Sequence, residues 1–397
     1  MLGITIYLIF VHAWTWVLTT PLALAGRADF RQFYAAGAML RAGDAHRLYD
    51  YSTQREFQDR LVSPEPTALP FVSPAYHAFL FLPFSVLSYR VAYFAFLAMN
   101  AALLVISFAL LRPWMQNLRE IFIWLPAAMF FSFMPIVMAL IQGQDSILLT
   151  TLLIASFVLL VREQAFYAGV LAGLGLFKLQ IVLPLALLFL VGRRWKFCMG
   201  FASSAATLTL LSVVLTGAEQ AKLYVKTLLA IAGLCSAPSD LARYPITLEQ
   251  MANLHGLVYG LCSHWMPSDW LHLLAIFLSL AVLIWTVRRG FSLEHSSTLL
   301  LLAIPCSILI SHHTYVHDLS VLFLPLVVQL NSHLPRTSTP DRASKLTGGI
   351  AALTFVAPVS ESFSANHFYL VAIAIIAFLA VSVAASRQQS LPLRSIP

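Results

Sequence analysis

The sequence predicts an all-α protein that crosses a membrane many times. Of its 397 residues, 59% are hydrophobic and only 10% are charged, whereas soluble globular chains carry about 25% charge. Apolar runs of nearly 20 residues recur from end to end. A helix needs this length to cross a bilayer, and a barrel strand needs far less. We therefore interpret the net charge of +7 as a topological signal and expect no nucleic-acid partner.

The apolar runs predict a single polytopic domain over residues 1–397. We expect spans at 4–25, 91–112, 121–141, 146–161, 197–216, 269–287, 296–312, 318–330, 347–358 and 367–385. Shorter apolar pieces at 74–88, 166–177 and 180–192 are too short to cross alone without tilt or thinning of the bilayer. We expect them to be re-entrant or broken helices, which gives about 10–13 transmembrane or re-entrant helices in all.

Basic residues lie on one side of these predicted spans, which the positive-inside rule makes cytoplasmic. They are Arg112, Arg119, Arg162, the stretch 193–196, Arg288, Arg289, the stretch 336–345 and Arg387. The segment 331–345 is expected to be a flexible cytoplasmic loop. The opposite side receives the loop 26–70, the turn 142–145, the stretch 217–268, the cluster 312–318 and the turn 359–366.

The loop 26–70 is an exception to this charge rule. Its residues 27–60 hold six arginines and five acidic residues, a nearly neutral mixture that can be translocated as an organised loop. Phe30 and Phe33 begin an apolar face at helical spacing, and Asp50 can cap a second helix. We expect two amphipathic helices on the membrane surface, with a disordered charged linker as the alternative.

Asp29 is the first candidate for chemistry, because it stands at the outer end of the first predicted span. A carboxylate at the boundary between water and lipid can act as a general base on a substrate that meets the protein there. The alternative is a helix-end charge that pairs with Arg27 or Arg31.

A lysine is the second candidate. Lys178 lies between two short apolar helices, where an ammonium is costly without an anionic partner. We interpret it as a ligand for the phosphate of a lipid-linked donor. The alternatives are a lysine that snorkels to the interface or one that pairs with a buried carboxylate.

Two polar turns complete the set of candidates. His313, His317 and Asp318 belong to the cluster 312–318, which can hydrogen-bond a sugar or a diphosphate-like head group, or can be an ordinary polar loop. No metal site is expected, because zinc spacings such as HExxH are absent. Gln142 and Gln144 suit sugar hydroxyls and suit a capped helix start equally well.

Several soluble-enzyme signatures are absent from the sequence. It contains no P-loop, no GxGxxG and no GxSxG, so a transferase with this sequence has no obvious nucleotide-sugar site and no expected cofactor. A lipid-linked donor fits better.

The order of several blocks resembles glycosyltransferase family 87. The blocks are 28–50, 71–74, 82–88, 142–145, 168–178, 193–195 and 317–319, and the resemblance covers about residues 27–320. Val72 and Ser73 depart from the family pattern. The resemblance implies the C-type glycosyltransferase fold and a polyprenyl-phosphate sugar donor, with mannose as the first expectation. It also implies a glycolipid or glycan acceptor, and an inner (plasma) membrane protein with its active site on the extracytoplasmic face.

The resemblance also implies roles for particular residues. Asp29 matches the catalytic carboxylate, which takes a proton from the acceptor hydroxyl during an inverting displacement. Lys178 and His317 are then expected at the donor phosphate. Substrate contacts are expected from Arg31, Tyr34, Gln142, Gln144, His313 and Asp318. A polytopic transporter or lipid flippase is the alternative function, because broken helices and a buried lysine suit it equally; a membrane scaffold is a third.

Overall fold

The computed structural model is helical throughout the residues it describes, 2–231, 247–290, 293, 295–333, 342–362 and 365–388, and none of these ranges contains a strand. The first half contains α1 (Leu2–Leu22), α2 (Phe30–Ala42), α3 (Tyr51–Leu61), α4 (Ala75–Phe81), α5 (Tyr89–Leu111), α6 (Gln116–Ile121), α7 (Leu125–Ser132), α8 (Met134–Gln142), α9 (Ser146–Val161) and α10 (Ala165–Leu174). The second half contains α11 (Leu179–Val191), α12 (Trp195–Thr216), α13 (Ala218–Ile231), α14 (Leu254–Cys262), α15 (Ser268–Gly290), α16 (Ser296–Ile310), α17 (Phe323–His333), α18 (Arg342–Val356) and α19 (Val371–Gln388).

The fold is that of a polytopic membrane protein. Within the described residues, six helical stretches have the length and apolar composition to cross a membrane: Thr5–Ala42, Tyr89–Ile121, Ala165–Val191, Trp195–Thr216, Ser268–Gly290 and Asn366–Ser386. Of these, Ala165–Val191 contains two helices of 10 and 13 residues, α10 and α11, and neither is long enough to cross alone. Many large apolar side chains on these stretches are exposed, among them Phe10, Val105 and Phe277. Such a surface suits lipid. The predicted fold class, an all-α polytopic membrane protein, is confirmed.

The predicted span 121–141 is not one straight helix. It consists of α7 and α8, whose axes differ by 56°. Phe133 between them has an extended backbone, and Pro135 follows two residues later. Proline lacks the amide hydrogen that would continue the helical ladder and clashes with the carbonyl of residue i−4, so the helix breaks here. The break brings the end of α8, at Gln142, beside the start of α2.

The stretch 165–191 turns back on itself. A straight helix would place Phe166 and Phe189 about 34 Å apart. Instead, the Phe166 carbonyl packs against Gly200, and the Phe189 ring stacks 3.8 Å from that of Phe197, one turn away on α12. Thus α10 and α11 form a helical hairpin, with a 3₁₀ turn at its tip, Gly175–Lys178. This agrees with the expectation of short, broken helices at 166–177 and 180–192.

Glycines set the distance between α10 and α12. A Cβ atom at Gly200 would lie 1.9 Å from the Phe166 carbonyl oxygen, and one at Gly169 would lie 2.0 Å from the Phe197 carbonyl oxygen. The two helices run parallel, since Gly173 in turn meets Ser204. Backbones this close allow extensive dispersion contact and hold the hairpin in place.

The first outer segment, 26–70, contains the two expected helices, α2 and α3. The first of them is not a surface helix, because the residues from Phe33 to Met39 are all buried. They pack against α4, α3 and α5. Five of the six arginines of this segment pair with its own acids, for example Arg31 with Asp59. The disordered-linker alternative is therefore wrong.

Three further predicted segments can be compared with the structure: 331–345, 217–268 and 74–88. Most of the loop predicted at 331–345 lies outside the described residues, and both flanks are helical, in α17 and α18. Residues 232–246 of the predicted outer stretch 217–268 also lie outside them. The apolar piece 74–88 contains the seven-residue α4, which is too short to cross a bilayer.

We predict that Gly200→Ala lowers the stability of the protein by about 1–3 kcal/mol, because the new methyl group forces α10 and α12 apart. The measurement is thermal unfolding of the purified protein in detergent. Gly349→Ala in α18 is the matched control, since a Cβ there meets no atom within 4 Å and alanine is the better helix former. Equal melting temperatures for the two variants would contradict the close packing.

Candidate functional site

A central cavity of about 590 Å³ lies where the first outer segment, the hairpin tip and the segment after α16 meet. This volume is within the range of sites that bury small ligands. The polar and ionisable side chains in its wall are Asp29, Gln32, Ser73, Gln144, Asp145, Lys178, Gln180, Ser311, His312, His313, Tyr315, His317 and Asp318. The structure thus brings together Asp29 and Lys178, which are separated by almost 150 positions in the sequence.

A buried ion cluster forms the floor of the cavity. The Lys178 ammonium lies 3.1 Å from Asp145 Oδ1 and 2.9 Å from Asp318 Oδ1, and it donates to Gln144 Oε1 at 3.1 Å. Lys178 is 7% exposed and both aspartates are 1% exposed. Three oxygen atoms thus surround the ammonium, two of them from carboxylates at ion-pair distance. We call Lys178, Asp145 and Asp318 the Lys178 ion cluster.

This cluster changes the interpretation of Lys178. The alternative in which the lysine pairs with a buried carboxylate is the observed arrangement, and it involves two carboxylates. A donor phosphate could reach the ammonium directly only by displacing one of three partners. We therefore revise the direct phosphate role: Lys178 first pairs with the two buried acids and offsets one of their two charges, since unpaired buried charges are costly.

Asp29 stands at the rim of the same cavity and is half-buried. Its Oδ2 accepts a hydrogen bond from Gln144 Nε2 at 2.7 Å. The carboxylate does not cap its own helix α2. Arg27 instead pairs with Glu65 and Arg31 with Asp59, and no lysine or arginine in the described ranges lies within ion-pair distance of Asp29. The helix-end alternative is therefore not what the structure shows.

Three of the expected substrate ligands do not face the cavity. Arg31 is 1% exposed and donates to Gln58 and Asp59. Tyr34 is buried and its hydroxyl donates to the Leu87 carbonyl oxygen at 2.7 Å. Gln142 Oε1 accepts from the Asp29 backbone amide at 3.3 Å. These side chains hold the first outer segment, so we no longer assign them to a substrate.

Gln144, His313, His317 and Asp318 do line the cavity, as expected. His313 Nδ1 is buried without a hydrogen-bond partner among the described residues. Burial lowers the pKa of His313 to about 4, although Asp318 acts in the opposite direction. A neutral imidazole with a free ring nitrogen is thus available to a ligand in the cavity.

Sequence reasoning missed His77. It lies on α4, stacks on Phe177 at 4.7 Å, and its Nε2 is 3.3 Å from Asp145 Oδ2. A single histidine in an apolar run carries no signal of this contact. Tyr315 was missed too; its backbone amide donates to Asp318 Oδ2 at 3.2 Å.

An apolar groove of about 750 Å³ adjoins the central cavity. Its walls are α11 and α15, including Leu183, Leu187, Leu273, Ile276 and Leu280. These five side chains are exposed and face the lipid region of a bilayer. The groove and the cavity share Leu183, Pro184, Ile310, Ser311 and His312.

Imidazoles line the end of the groove nearest the cavity. His255 Nε2 lies 3.0 Å from His272 Nδ1, and the His255 and His312 rings are 4.7 Å apart. No sequence pattern groups these three histidines. In the described ranges, no three or more His, Cys, Asp or Glu side chains are placed to hold a metal ion.

The fold and the cavity define a polytopic membrane protein whose carboxylate-bearing cavity adjoins an exposed apolar groove. The family model described as Glycosyltransferase family 87 matches residues 71–312, which is more than half of the chain. The protein therefore belongs to glycosyltransferase family 87 and is a membrane glycosyltransferase. No curated protein and no solved structure matches the chain.

The matched range is narrower than the resemblance over 27–320. It contains Gln144, Asp145 and Lys178, but it begins after Asp29 and ends before His313. The role of Asp29 consequently rests on its position in the cavity and on the resemblance of the first outer segment.

We predict that Arg31→Gln lowers stability by about 2–3 kcal/mol, because Asp59 and Gln58 lose a buried charged donor. Thermal unfolding in detergent measures this loss. Arg55→Gln is the matched control, since Arg55 also pairs with Asp59, at 3.5 Å, but is 43% exposed and contributes little. If Arg31→Gln instead left the melting temperature unchanged and weakened substrate binding, the structural assignment would be wrong.

Proposed function

We propose that this glycosyltransferase moves a sugar, mannose in the first instance, from a polyprenyl-phosphate donor to the hydroxyl of a glycolipid or glycan acceptor. Asp29 is the general base and the displacement inverts the anomeric centre. The observation that carries the proposal is a half-buried carboxylate, held by an amide and free of cations, that faces a cavity continuous with an apolar groove.

The base needs one available oxygen. Gln144 engages Oδ2 of Asp29, so Oδ1 can accept the proton of an acceptor hydroxyl as that oxygen attacks C1 of the sugar. Phosphate is a good leaving group and departs without a general acid, in contrast to glycoside hydrolysis, which uses two carboxyl groups. One base and an in-line geometry therefore suffice.

A lipid-linked donor suits the two adjoining spaces. The isoprenoid chain would lie in the apolar groove between α11 and α15, where it buries apolar surface. The phosphate would lie where groove and cavity meet, beside His312 and the first turn of α11. The amides of that turn carry partial positive charge.

The charge of the cavity limits where the phosphate can lie. Among the described wall residues there are three aspartates, Asp29, Asp145 and Asp318, and one ammonium, Lys178. An anion is therefore repelled from the floor. Neutral imidazoles, His313 and His317, can take up a proton when the phosphate arrives and thereby supply the missing positive charge.

The basic residues support an extracytoplasmic active site. Asp145 precedes α9 and borders the cavity, whereas Arg162 follows the same helix at its other end, about 24 Å away. The positive-inside rule favours an extracytoplasmic cavity, and the inner (plasma) membrane is part of this proposal.

The alternative function is a transporter of lipid-linked sugars, and one assay distinguishes it from a transferase. Purified protein in liposomes receives a radiolabelled polyprenyl-phosphate sugar and an acceptor. Label recovered in the acceptor supports the transferase. Label that crosses the bilayer while still attached to its carrier would support the transporter and contradict the proposal.

We predict that Asp29→Asn keeps the protein folded and able to bind donor but lowers kcat by about 10²–10⁴-fold, because the amide cannot accept the acceptor's proton. Turnover is measured with the radiolabelled donor. Asp44→Asn is the matched control: it is a nearby acid of the first outer segment that does not line the cavity. Turnover by Asp29→Asn at the level of the control would place the base elsewhere.

We predict that donor binding tightens as the pH falls from 8 to 6. His313 is neutral at these pH values in the free protein, since burial lowers its pKa to about 4. A phosphate nearby raises that pKa, so binding takes up a proton and gains up to about tenfold in affinity per pH unit. Equilibrium binding to the Asp29→Asn variant avoids turnover. Adding His313→Gln to Asp29→Asn should flatten the pH dependence of donor binding, whereas adding His46→Gln should not. A flat pH dependence for Asp29→Asn alone would contradict a role of His313 at the phosphate site.

A further inference from the structure

The turn Gln142-Gly143-Gln144 contacts Asp29 in two places. Gln142 Oε1 accepts from the Asp29 backbone amide at 3.3 Å, and Gln144 Nε2 donates to the Asp29 carboxylate at 2.7 Å. The first contact fixes the backbone and the second fixes the side chain. We call this segment the glutamine turn.

Gly143 allows the turn to approach this closely. Its φ is +59°, a left-handed conformation that side chains disfavour. A Cβ atom at this position would also lie 2.6 Å from Cβ of Phe30, the residue that follows Asp29. Any larger residue would therefore push the turn away from the start of α2.

The orientation of the Gln144 amide follows from chemistry. Lys178 can only donate hydrogen bonds, so the amide oxygen of Gln144 must face the ammonium at 3.1 Å. The amide nitrogen consequently points at Asp29. An amide flip would set donor against donor at Lys178 and acceptor against acceptor at Asp29.

We propose that the glutamine turn positions Asp29 for catalysis, with Gln144 joining the carboxylate to the Lys178 ion cluster. This inference rests on the proposed function, in which Asp29 is the base. Asp145 and Asp318 hold Lys178, Lys178 orients the Gln144 amide, and the amide holds one carboxylate oxygen while the other remains free to take the proton. Gln144 is a positioning residue, and the role first expected for it, a sugar ligand, becomes secondary.

The test separates positioning from substrate binding. Gln144→Leu keeps the approximate volume but removes both hydrogen bonds. We expect kcat to fall by about 10–100-fold, because a misplaced reacting group loses this much rate, while the donor KM stays within about threefold. A lowered kcat with an unchanged donor KM is the result expected of a positioning residue rather than of a substrate ligand.

Gln180→Leu is the matched control. Gln180 is another glutamine in the wall of the cavity, but it has no hydrogen bond to Asp29. Its substitution can change the donor KM and should lower kcat much less than Gln144→Leu does. An equal loss of kcat in both variants would show a general effect of cavity polarity and would overturn the assignment to Gln144.

Two further variants keep the proposal testable if Gln144→Leu does not fold. Gln144→Glu retains the shape and the contact with Lys178, but it places a second carboxylate against Asp29, so kcat should fall with a steeper pH dependence. Gln142→Leu removes only the longer backbone contact and should lower kcat less. A raised KM with unchanged kcat in these variants would make Gln144 a substrate ligand instead.

The variants distinguish a failure of Asp29 as the base from a failure of Gln144 as the positioning residue. If Asp29→Asn retains turnover, the proposed function loses its base, whatever Gln144 does. A second outcome is that Asp29→Asn is inactive while Gln144→Leu and Gln144→Glu keep the kcat and pH profile of the unsubstituted protein. In that case Asp29 remains the base, and only the positioning role of Gln144 is overturned.

Discussion

The ion pairs of Lys178 with Asp145 and Asp318 are the constraint on which the site depends. They join three parts of the chain that no local interaction could bring together: the hairpin tip, the start of α9 and the 3₁₀ segment Val316–Leu322. Burying three charges is favourable only while all three remain paired. Because the cluster is also fixed by Ser146 and by the Tyr315 amide, it gives a membrane cavity a rigid polar floor.

Below the floor of the cavity, α10 and α12 are closely packed. Glycines on α10 and α12 allow backbone contact, so the hairpin cannot tilt without losing dispersion energy along its length. The hairpin therefore holds Lys178, at its tip, in one position. In the proposed reaction the flexible components are the substrates, while the protein supplies preorganised groups, which is how electrostatic catalysis avoids reorganisation in the transition state.

Local sequence patterns predicted the fold class and several residues that line the cavity, among them Asp29, Gln144 and Lys178. Run length predicted ten spans, whereas six helical stretches of the described residues are long and apolar enough to cross a membrane. The cost of an isolated ammonium in an apolar stretch predicted an anionic partner for Lys178. The partners themselves were not predictable, because Gln144 and Asp29 lie 115 positions apart and no periodicity relates them. Arg31 and Tyr34 were misassigned for the same reason: their burial depends on Asp59 and Leu87, which come to them only through tertiary packing.

The self-neutralising charge of the first outer segment bears on how the protein is inserted. Residues 27–60 sum to a single positive charge, and Arg27 takes its counter-ion from Glu65. Moving one elementary charge against a potential of 100 mV requires about 2.3 kcal/mol. In the proposed topology this segment is exported. A nascent loop with six unmatched arginines would require that work six times, whereas a nearly neutral loop requires almost none. Its topology should therefore withstand depolarisation of the cell.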